Sequence, residues 1–250
     1  MEKYVIPKGE ALVVYQAQGA FDKCVDEFRA ENLEMITAKQ LAEARMLGGA
    51  NHQVSTTWTW LAENFNYLPN GDILVASKAF NPLLQFTSAA KMATDCHRAN
   101  PFREYFLSDD VVESLQEGAK HKGKVLLLKR KDVPTGIPTN AFGKEAVTSF
   151  LFGDEADNYG RFLKENGIKN VPLYVVDKAY AKEQGEAFSR ALWANNLGDD
   201  SALYGYSDLI LYSNGRAFGV RRSEPEGRAT APQGAARGFQ WKCRISGANA

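Results

Sequence analysis

The stretch from Phe188 to Arg222 sets the strongest limit on the fold, because no helix of ten residues fits in it. Only short strands can be placed there, over the letters AFSRALW, LILY and FGVRR, and polar loops separate them. The first two thirds of the chain instead alternate helical and strand patterns. The sequence therefore predicts an α+β fold with short β-strands and long loops in its C-terminal half.

Local signals place several elements in the first two thirds. Thr37 is expected to begin a helix over ITAKQLAEARMLGG, since Gln40 stands at the capping-box position and a Gly pair follows the last turn. Ser108 is expected to cap a second helix, DDVVESLQEG. Two further helices are predicted over FDKCVDEFRAEN and DNYGRFLKENG, and strands are predicted over ALVVYQ, ILVAS, KVLLLKR and PLYVV.

The domain organisation follows from composition. We predict one domain over residues 1–222 and a tail over 223–250, which begins with the linker-like SEPEGRATAPQGAARG. The closing FQWKCRISG either adds a short strand or is mobile, and the sequence leaves both open. The VPTGIP loop near 134–138 either separates two lobes of the domain or lies within it, and the sequence leaves both open.

The charge balance argues against partners that are bound mainly by electrostatic attraction. Thirty basic and thirty acidic residues cancel, so we expect neither nucleic acid nor an anionic membrane as the partner. No apolar run is long enough to span a membrane, and the first residues lack the pattern of a signal peptide. A cytoplasmic location and one associated with a virion or cell surface both stay open, as does the oligomeric state.

The residues that carry chemistry form no recognisable catalytic set. Cys24, Cys96 and Cys243 are odd in number and far apart, which predicts free thiols rather than disulfides or a zinc site. Cys96 and His97 are sequence neighbours whose side chains point in different directions, so they make a poor nucleophile and base. No hydrolase, metalloprotease or nucleotide-binding motif occurs. We therefore expect no enzyme activity and no cofactor.

Two acidic stretches keep alternatives open. Asp154, Glu155 and Asp157 precede a predicted helix, where acids offset the helix dipole, yet an acidic enzyme site uses the same side chains. The NNLGDD stretch, 195–200, carries four oxygen-bearing side chains as a calcium loop does. It lacks the spacing and the closing Glu of an EF-hand, so no metal ligand is assigned.

Residues 194–218 use few residue types, mainly Asn, Asp, Ser, Tyr, Gly, Leu and Ala. Tyr supplies large amphipathic contacts and Ser, Asn and Gly supply adaptable hydrogen bonds, as in antibody loops, although turn-rich β structure has a similar composition. Apolar residues are expected to anchor the segment to the core: Leu192, Trp193, Leu197, Leu203, Leu209, Leu211, Phe218 and Val220. The others are expected to face outward and contact a ligand: Asn195, Asn196, Asp199, Asp200, Ala202, Tyr204, Tyr206, Ser207, Asp208, Ile210, Tyr212, Ser213 and Asn214.

The residues around this segment form a recognisable frame. The frame reads RALW from Arg190, then L-x-x-x-S-x-L-x-G from Leu197 to Gly205, then a strand and GVR from Gly219 to Arg221. It resembles the variable region of proteins that diversity-generating retroelements diversify. The resemblance implies that 1–222 is a single C-type-lectin-like domain, related to the formylglycine-generating-enzyme type.

The resemblance also implies how the residue types arose. In such proteins, reverse transcription that misreads template adenines randomises selected codons, often AAY, so that Asn is the parental residue. Tyr, Asp, Ser, Gly, Ala, Ile and Leu are among the products, and these types fill 194–218. The chain departs from the family because 28 residues follow Arg222. Enzymatic members of the wider fold group use paired cysteines, and since no Cys lies between Cys96 and Cys243, their oxidase chemistry is not implied.

The function that follows is recognition of an unknown protein or other macromolecular ligand by a diversified surface. Two other classes stay open: a small-molecule enzyme with an acidic site near Asp154 and Asp157, and a structural virion or surface subunit.

Overall fold

The computed structural model describes residues 1–6, 12–85, 88, 91, 104–198, 201–205 and 215–221. Strands and helices alternate through most of these residues, as the sequence predicts. The strands are β1 (Glu2–Ile6), β2 (Leu12–Gln18), β3 (Leu33–Met35), β4 (Thr59–Tyr67), β5 (Ile73–Ala76), β6 (Tyr105–Phe106), β7 (Val125–Leu128), β8 (Gly136–Pro138), β9 (Asn170–Tyr174), β10 (Phe188–Ala194), β11 (Leu203–Tyr204) and β12 (Arg216–Arg221).

The helices include the four that the sequence predicts. In α2 the Thr37 side chain accepts from the Gln40 amide at 3.2 Å and the Gln40 side chain accepts from the Thr37 amide at 3.0 Å, which confirms the capping box. The helices are α1 (Phe21–Ala30), α2 (Ala38–Gly48), α3 (Gln53–Thr56), α4 (Asp109–Gly118), α5 (Ala146–Phe152), α6 (Ala156–Glu165) and α7 (Lys178–Gln184).

Two local expectations need correction. Ser108 occupies the N-cap of α4, but its hydroxyl makes no capping bond and lies buried, so the two acids of the first turn support the helix start instead. The loop near 134–138 contains β8, which pairs with β9. No helix of the described part of the chain is long and apolar enough to cross a membrane.

The strand order across the sheet is β1-β2-β12-β4-β10-β11-β9-β8. β10 runs antiparallel to β4, and β12 lies between β4 and β2. Ala194 at the end of β10 stands opposite Thr59, and Ala217 near the start of β12 stands opposite Trp60. The segment that leaves β10 and returns as β12 therefore departs from and re-enters the same end of the sheet.

The central strand β4 is buried along its whole length because helices cover both faces of the sheet. Trp60 and Ala62 pack on the face that holds α1. Leu61, Phe65 and Tyr67 pack on the opposite face, among residues of α2, α5 and α6. The sequence analysis missed this strand, since TWLAENFNY contains four polar residues, Thr59, Glu63, Asn64 and Asn66, which fit neither an apolar run nor a regular alternation.

Hydrogen bonds between side chains compensate the burial of the polar residues of β4. The Asn64 amide donates to Asn66 Oδ1 at 2.8 Å, and the Ser189 hydroxyl of the neighbouring β10 donates to the same oxygen at 2.8 Å. Asn66 also donates to the Leu74 carbonyl at 2.9 Å. Because buried polar groups cost little only when paired, this network lets a polar strand occupy the centre of the sheet.

Glu63 is the charged residue of β4, and its environment gives the fold a pH dependence. Its carboxylate accepts from the Ala38 amide at the start of α2, at 3.0 Å. Burial nevertheless raises the pKa of Glu63 from 4.5 to about 7, because desolvation outweighs that hydrogen bond. The folded state thus holds the proton more tightly than the unfolded state, so stability is lost as the pH rises through 7.

We therefore expect the free energy of unfolding of the native protein to fall relative to Glu63→Gln by about 2 kcal/mol between pH 5 and pH 8. Urea titrations of both proteins at the two pH values measure this difference. The glutamine variant is the control, because it keeps the size of the side chain and cannot ionise. Parallel curves for the two proteins would contradict the assignment.

Candidate ligand-binding surface

Four of the thirteen residues predicted to contact a ligand lie among the described residues: Asn195, Asn196, Ala202 and Tyr204. The other nine lie outside them: Asp199, Asp200, Tyr206, Ser207, Asp208, Ile210, Tyr212, Ser213 and Asn214. The predicted anchors Leu209 and Leu211 also lie outside.

The described part of the segment begins with a closed loop after β10. The Asn195 amide donates to the Ala202 carbonyl at 2.9 Å, and the Ser201 amide donates to the Asn196 carbonyl at 3.2 Å. The side chains of Asn195 and Asn196 are half-buried. Ala202 has no exposed surface, so the expectation that its side chain faces outward is wrong. Ala202 directly precedes the buried Leu203, and both are held against the core by the loop closure.

Beyond this loop, four aromatic rings line up across neighbouring strands, and we call them the aromatic row: Tyr174, Tyr204, Trp193 and Trp60. Tyr174 of β9 stands opposite Tyr204 of β11, Tyr204 stands opposite Trp193 of β10, and Trp193 stands opposite Trp60 of β4. Residues opposite each other in a sheet place their side chains on the same face. The row therefore follows one level of the sheet from β9 to β4.

The rings of the row are stacked closely. The centroids of Tyr204 and Trp193 are 3.9 Å apart with planes within 5°, and those of Tyr174 and Tyr204 are 4.7 Å apart. The Trp58 ring packs 5.2 Å from Trp193 and 5.8 Å from Trp60. Since each ring restricts its neighbour, the row loses little conformational freedom when a partner binds it.

Exposure falls steadily along the row. Tyr174 is 41% exposed, Tyr204 and Trp193 are half-buried, and Trp60 is fully buried beside Phe21 of α1. The expectation that Trp193 is a core anchor is therefore only partly met, because its ring stacks against Tyr204 and Trp58 at the end of the sheet. The row is thus fixed in the core at Trp60 and open to solvent at Tyr174.

The frame around the segment is tied into the core. Leu192 and Leu203 are fully or almost fully buried, as predicted. Gly205 and Gly219 lie where no side chain fits: a Cβ atom would come within 2.3 Å of Phe65 Cδ2 at the first and within 2.7 Å of Phe28 Cδ1 at the second. Close approach of the backbone to a buried ring thus explains both glycines of the frame.

The arginine that opens the RALW letters has a buried acidic partner. Arg190 Nε donates to Glu104 Oε2 at 3.0 Å, and its Nη2 donates to the other oxygen of the same carboxylate. The Tyr180 hydroxyl also donates to Glu104, at 2.6 Å. Arg190 is 7% exposed and Glu104 is 1% exposed. This bidentate pair ties β10 to the chain that enters β6.

Two residues of this surface escaped the sequence analysis. The sequence marked Tyr174 only as part of the PLYVV strand and did not mark Trp58 as a contact residue. The alternation of β9 carried the missing signal, because Val171 and Leu173 are buried and Tyr174, one position further, points the other way. An aromatic residue at an outward position of a strand next to the segment is the pattern that identifies it.

The acidic stretch ahead of α6 behaves as an ordinary helix start. Asp154 Oδ1 lies 2.6 Å from Lys39 Nζ, and the hydrogen bond from Lys39 lowers the pKa of Asp154. Asp157 lies exposed in the first turn of α6. An exposed carboxylate with a lowered pKa is a poor general acid. His97, considered above as a base beside Cys96, lies outside the described residues.

Within the described ranges, neither a reactive thiol nor a metal-binding cluster supports a catalytic site. Cys24 is buried and free, and burial raises its pKa to about 12, which makes it unreactive. Cys96 and Cys243 lie outside the ranges, as do Asp199 and Asp200 of the stretch considered for calcium. Among the described residues, no group of three His, Cys, Asp or Glu side chains stands together as a metal site would require.

Comparison with known proteins identifies the architecture. No protein-family model and no curated protein matches the chain. A solved structure from Nanoarchaeota, described as accommodation of massive sequence variation by the C-type lectin fold, is similar to it with a TM-score of 0.63. The similarity covers 86% of this chain and 100% of that chain, at 15% sequence identity. The chain has a C-type lectin fold. The prediction of an α+β, C-type-lectin-like architecture is thus confirmed, and the aromatic row lies on a C-type lectin sheet.

Proposed function

We propose that this protein binds a protein or other macromolecular ligand through the open end of the aromatic row and the residues that follow β10. The observation that carries the proposal is the position of Tyr204. This residue was selected from sequence as a ligand contact, and it stands between Tyr174 and Trp193 in a stacked, half-exposed row.

The chemistry of the row suits protein recognition. Tyr and Trp are enriched among the residues that dominate binding energies, because they bury a large area and keep a polar group for hydrogen bonding. Asn195 and Asn196 lie beside the row and supply amide donors and acceptors. A C-type lectin fold with such a surface supports ligand binding in general terms.

The finer assignment is a variable protein of a diversity-generating retroelement. Its support is that the residues of the frame are buried, with Trp193 and Arg221 as exceptions, while Asn195, Asn196 and Tyr204 keep exposed surface. The similar structure from Nanoarchaeota is described as accommodating massive sequence variation, which suits the same division. Under this proposal the nine predicted contacts outside the described residues belong to the same surface.

A pair of display libraries tests the proposed function. The first randomises the predicted contacts other than Ala202, and the second randomises the buried Ala194, Leu197, Ala202 and Leu203. We expect most members of the first library to fold, because outward changes cost within about 0.5 kcal/mol, whereas core changes cost about 1–5 kcal/mol. Protease resistance of the displayed chains measures the folded share.

Binding is then selected from the first library with lysozyme as an arbitrary probe protein. We expect clones that bind lysozyme and lose at least about fivefold in affinity when Tyr174 is replaced by Ala, since such anchors contribute more than about 1 kcal/mol. A first library that unfolds as often as the second would contradict the proposal. Failure to select any binder from a well-folded library would contradict it as well.

A further inference from the structure

Main-chain hydrogen bonds tie the described part of the segment to the core, and one of its own side chains adds a local bond, since Asn195 Oδ1 accepts from the Asn196 amide at 2.9 Å. The Leu197 amide donates to the Ser55 carbonyl at 2.8 Å, and the Gly205 amide donates to the Tyr174 carbonyl at 2.8 Å. On the other side, the Gly215 carbonyl accepts from the Gly19 amide at 2.8 Å. A bond to a main-chain atom survives when the side chain of that residue is exchanged.

Arg45 is a buried side chain that also bonds to the main chain of the segment. It lies in the last turn of α2, is 1% exposed, and donates from Nη2 to the Asn195 carbonyl at 2.8 Å. Its other donors reach the Val54 carbonyl at 3.1 Å, the Thr57 carbonyl at 3.3 Å and the Tyr159 hydroxyl at 2.9 Å. The guanidinium therefore joins α2, the α3 region, α6 and the first residue after β10.

The partners of Arg45 are unusual for a buried cation. All four acceptors are neutral, and no carboxylate among the described residues forms an ion pair with it. Burying a guanidinium is costly, and a neutral side chain of similar size would avoid that cost. The planar guanidinium carries five N–H donors, and a smaller or uncharged side chain cannot donate to several carbonyls at once.

Tyr67 likewise holds the main chain of the segment, at Gly205. Its ring is fully buried, and its hydroxyl donates to the Gly205 carbonyl at 2.6 Å while accepting from the Val176 amide at 3.4 Å. These contacts hold the ends of β11 and β9 together, directly after Tyr204 and Tyr174. Burial raises the pKa of Tyr67, so the hydroxyl stays a donor at physiological pH.

We infer that Arg45 and Tyr67 are positioning residues that fix the binding surface through its main-chain carbonyls, independently of the side chains displayed there. The inference deepens the proposed function and rests on it. It explains how residues such as Asn195 and Tyr204 can change while the backbone stays in place. The two residues lie in α2 and β4, far from the segment in sequence, where no composition pattern marks them.

Amide hydrogen exchange of the full chain, followed by NMR without any ligand, tests this inference. Arg45→Lys keeps the positive charge but removes the planar guanidinium, and Tyr67→Phe removes only the hydroxyl. We expect about tenfold faster exchange at Leu197 in the first variant and at Gly205 in the second, measured relative to Val75 in β5. The matched control is Asn195→Ser, which changes the displayed side chain and is expected to leave Leu197 exchange within about twofold.

Two results would overturn the inference. Exchange that rises equally at Leu197, Gly205 and Val75 would show that Arg45 and Tyr67 support only the global fold. Faster exchange at Leu197 in Asn195→Ser than in Arg45→Lys would show that the side chains hold the segment. Because no ligand enters the measurement, its outcome is independent of whether the libraries yield binders.

Discussion

Replacing Gly205 with alanine is expected to lower the free energy of unfolding by about 3 kcal/mol, since overpacking a filled core typically costs 1–3 kcal/mol or more. The added Cβ atom would lie 2.3 Å from Phe65 Cδ2, and Phe65 is fully buried at the centre of β4. In a chain of 250 residues this loss corresponds to a fall in Tm of about 6–12 °C, measured by calorimetry.

Two variants give this prediction its controls. Gly198→Ala, in the exposed loop after β10, adds a Cβ atom that meets only Asn196 Oδ1 at 3.2 Å, so its effect should stay within about 0.5 kcal/mol. Phe65→Leu in the Gly205→Ala background makes room for the methyl group, so the double variant should lose less than the sum of the single losses. Equal losses in Gly198→Ala and Gly205→Ala would contradict the close-packing explanation of the frame glycine.

Arg190→Met is expected to cost about 3–5 kcal/mol, the largest effect among these variants, because it leaves the Glu104 carboxylate buried without its cation. Glu104 is 1% exposed. Among the described residues, the neutral Tyr180 hydroxyl would then be the side chain that still donates a hydrogen bond to Glu104. The corresponding fall in Tm is about 6–20 °C, again measured by calorimetry.

The partner variant distinguishes the ion pair from simple packing. Adding Glu104→Gln to Arg190→Met removes the second charge and keeps its shape, so we expect at least half of the lost stability to return. Losses that simply add in the double variant would contradict a coupled pair. The position of Arg190 would then depend mainly on the stacking of its guanidinium over the Tyr180 and Phe188 rings.

Local rules predicted α1, α2, α4 and α6 because the signals of these helices lie within a few residues, whereas α3, α5 and α7 were missed. The capping box of Thr37 and Gln40 is one such signal, and α2 begins where it predicts. The strand β4 was missed for the opposite reason. Its polar residues Glu63, Asn64 and Asn66 are satisfied by partners from α2, β5 and β10, and no local pattern reveals partners so distant in sequence.

The candidate surface shows the same limit. Composition singled out Tyr204 as a contact residue, and the fold places it in the half-exposed row. Composition also assigned Ala202 to the outside, although a backbone bond to Asn195 turns that residue into the core. Tyr174 joins the row only because β9 pairs with β11 in parallel, and no local sequence pattern predicts that pairing.

The most direct test of the central claim, that a fixed C-type lectin frame displays a diversified surface, is the sequence of the DNA on either side of the coding region. We expect a near-copy of the codons for residues 194–218 beside a reverse transcriptase gene, with differences chiefly at adenines. The differences should fall in codons of outward residues such as Asn195 and Tyr204, and the codons of Leu203 and Gly205 should be identical. A copy whose differences fall as often on the frame codons, or no copy at all, would contradict the claim.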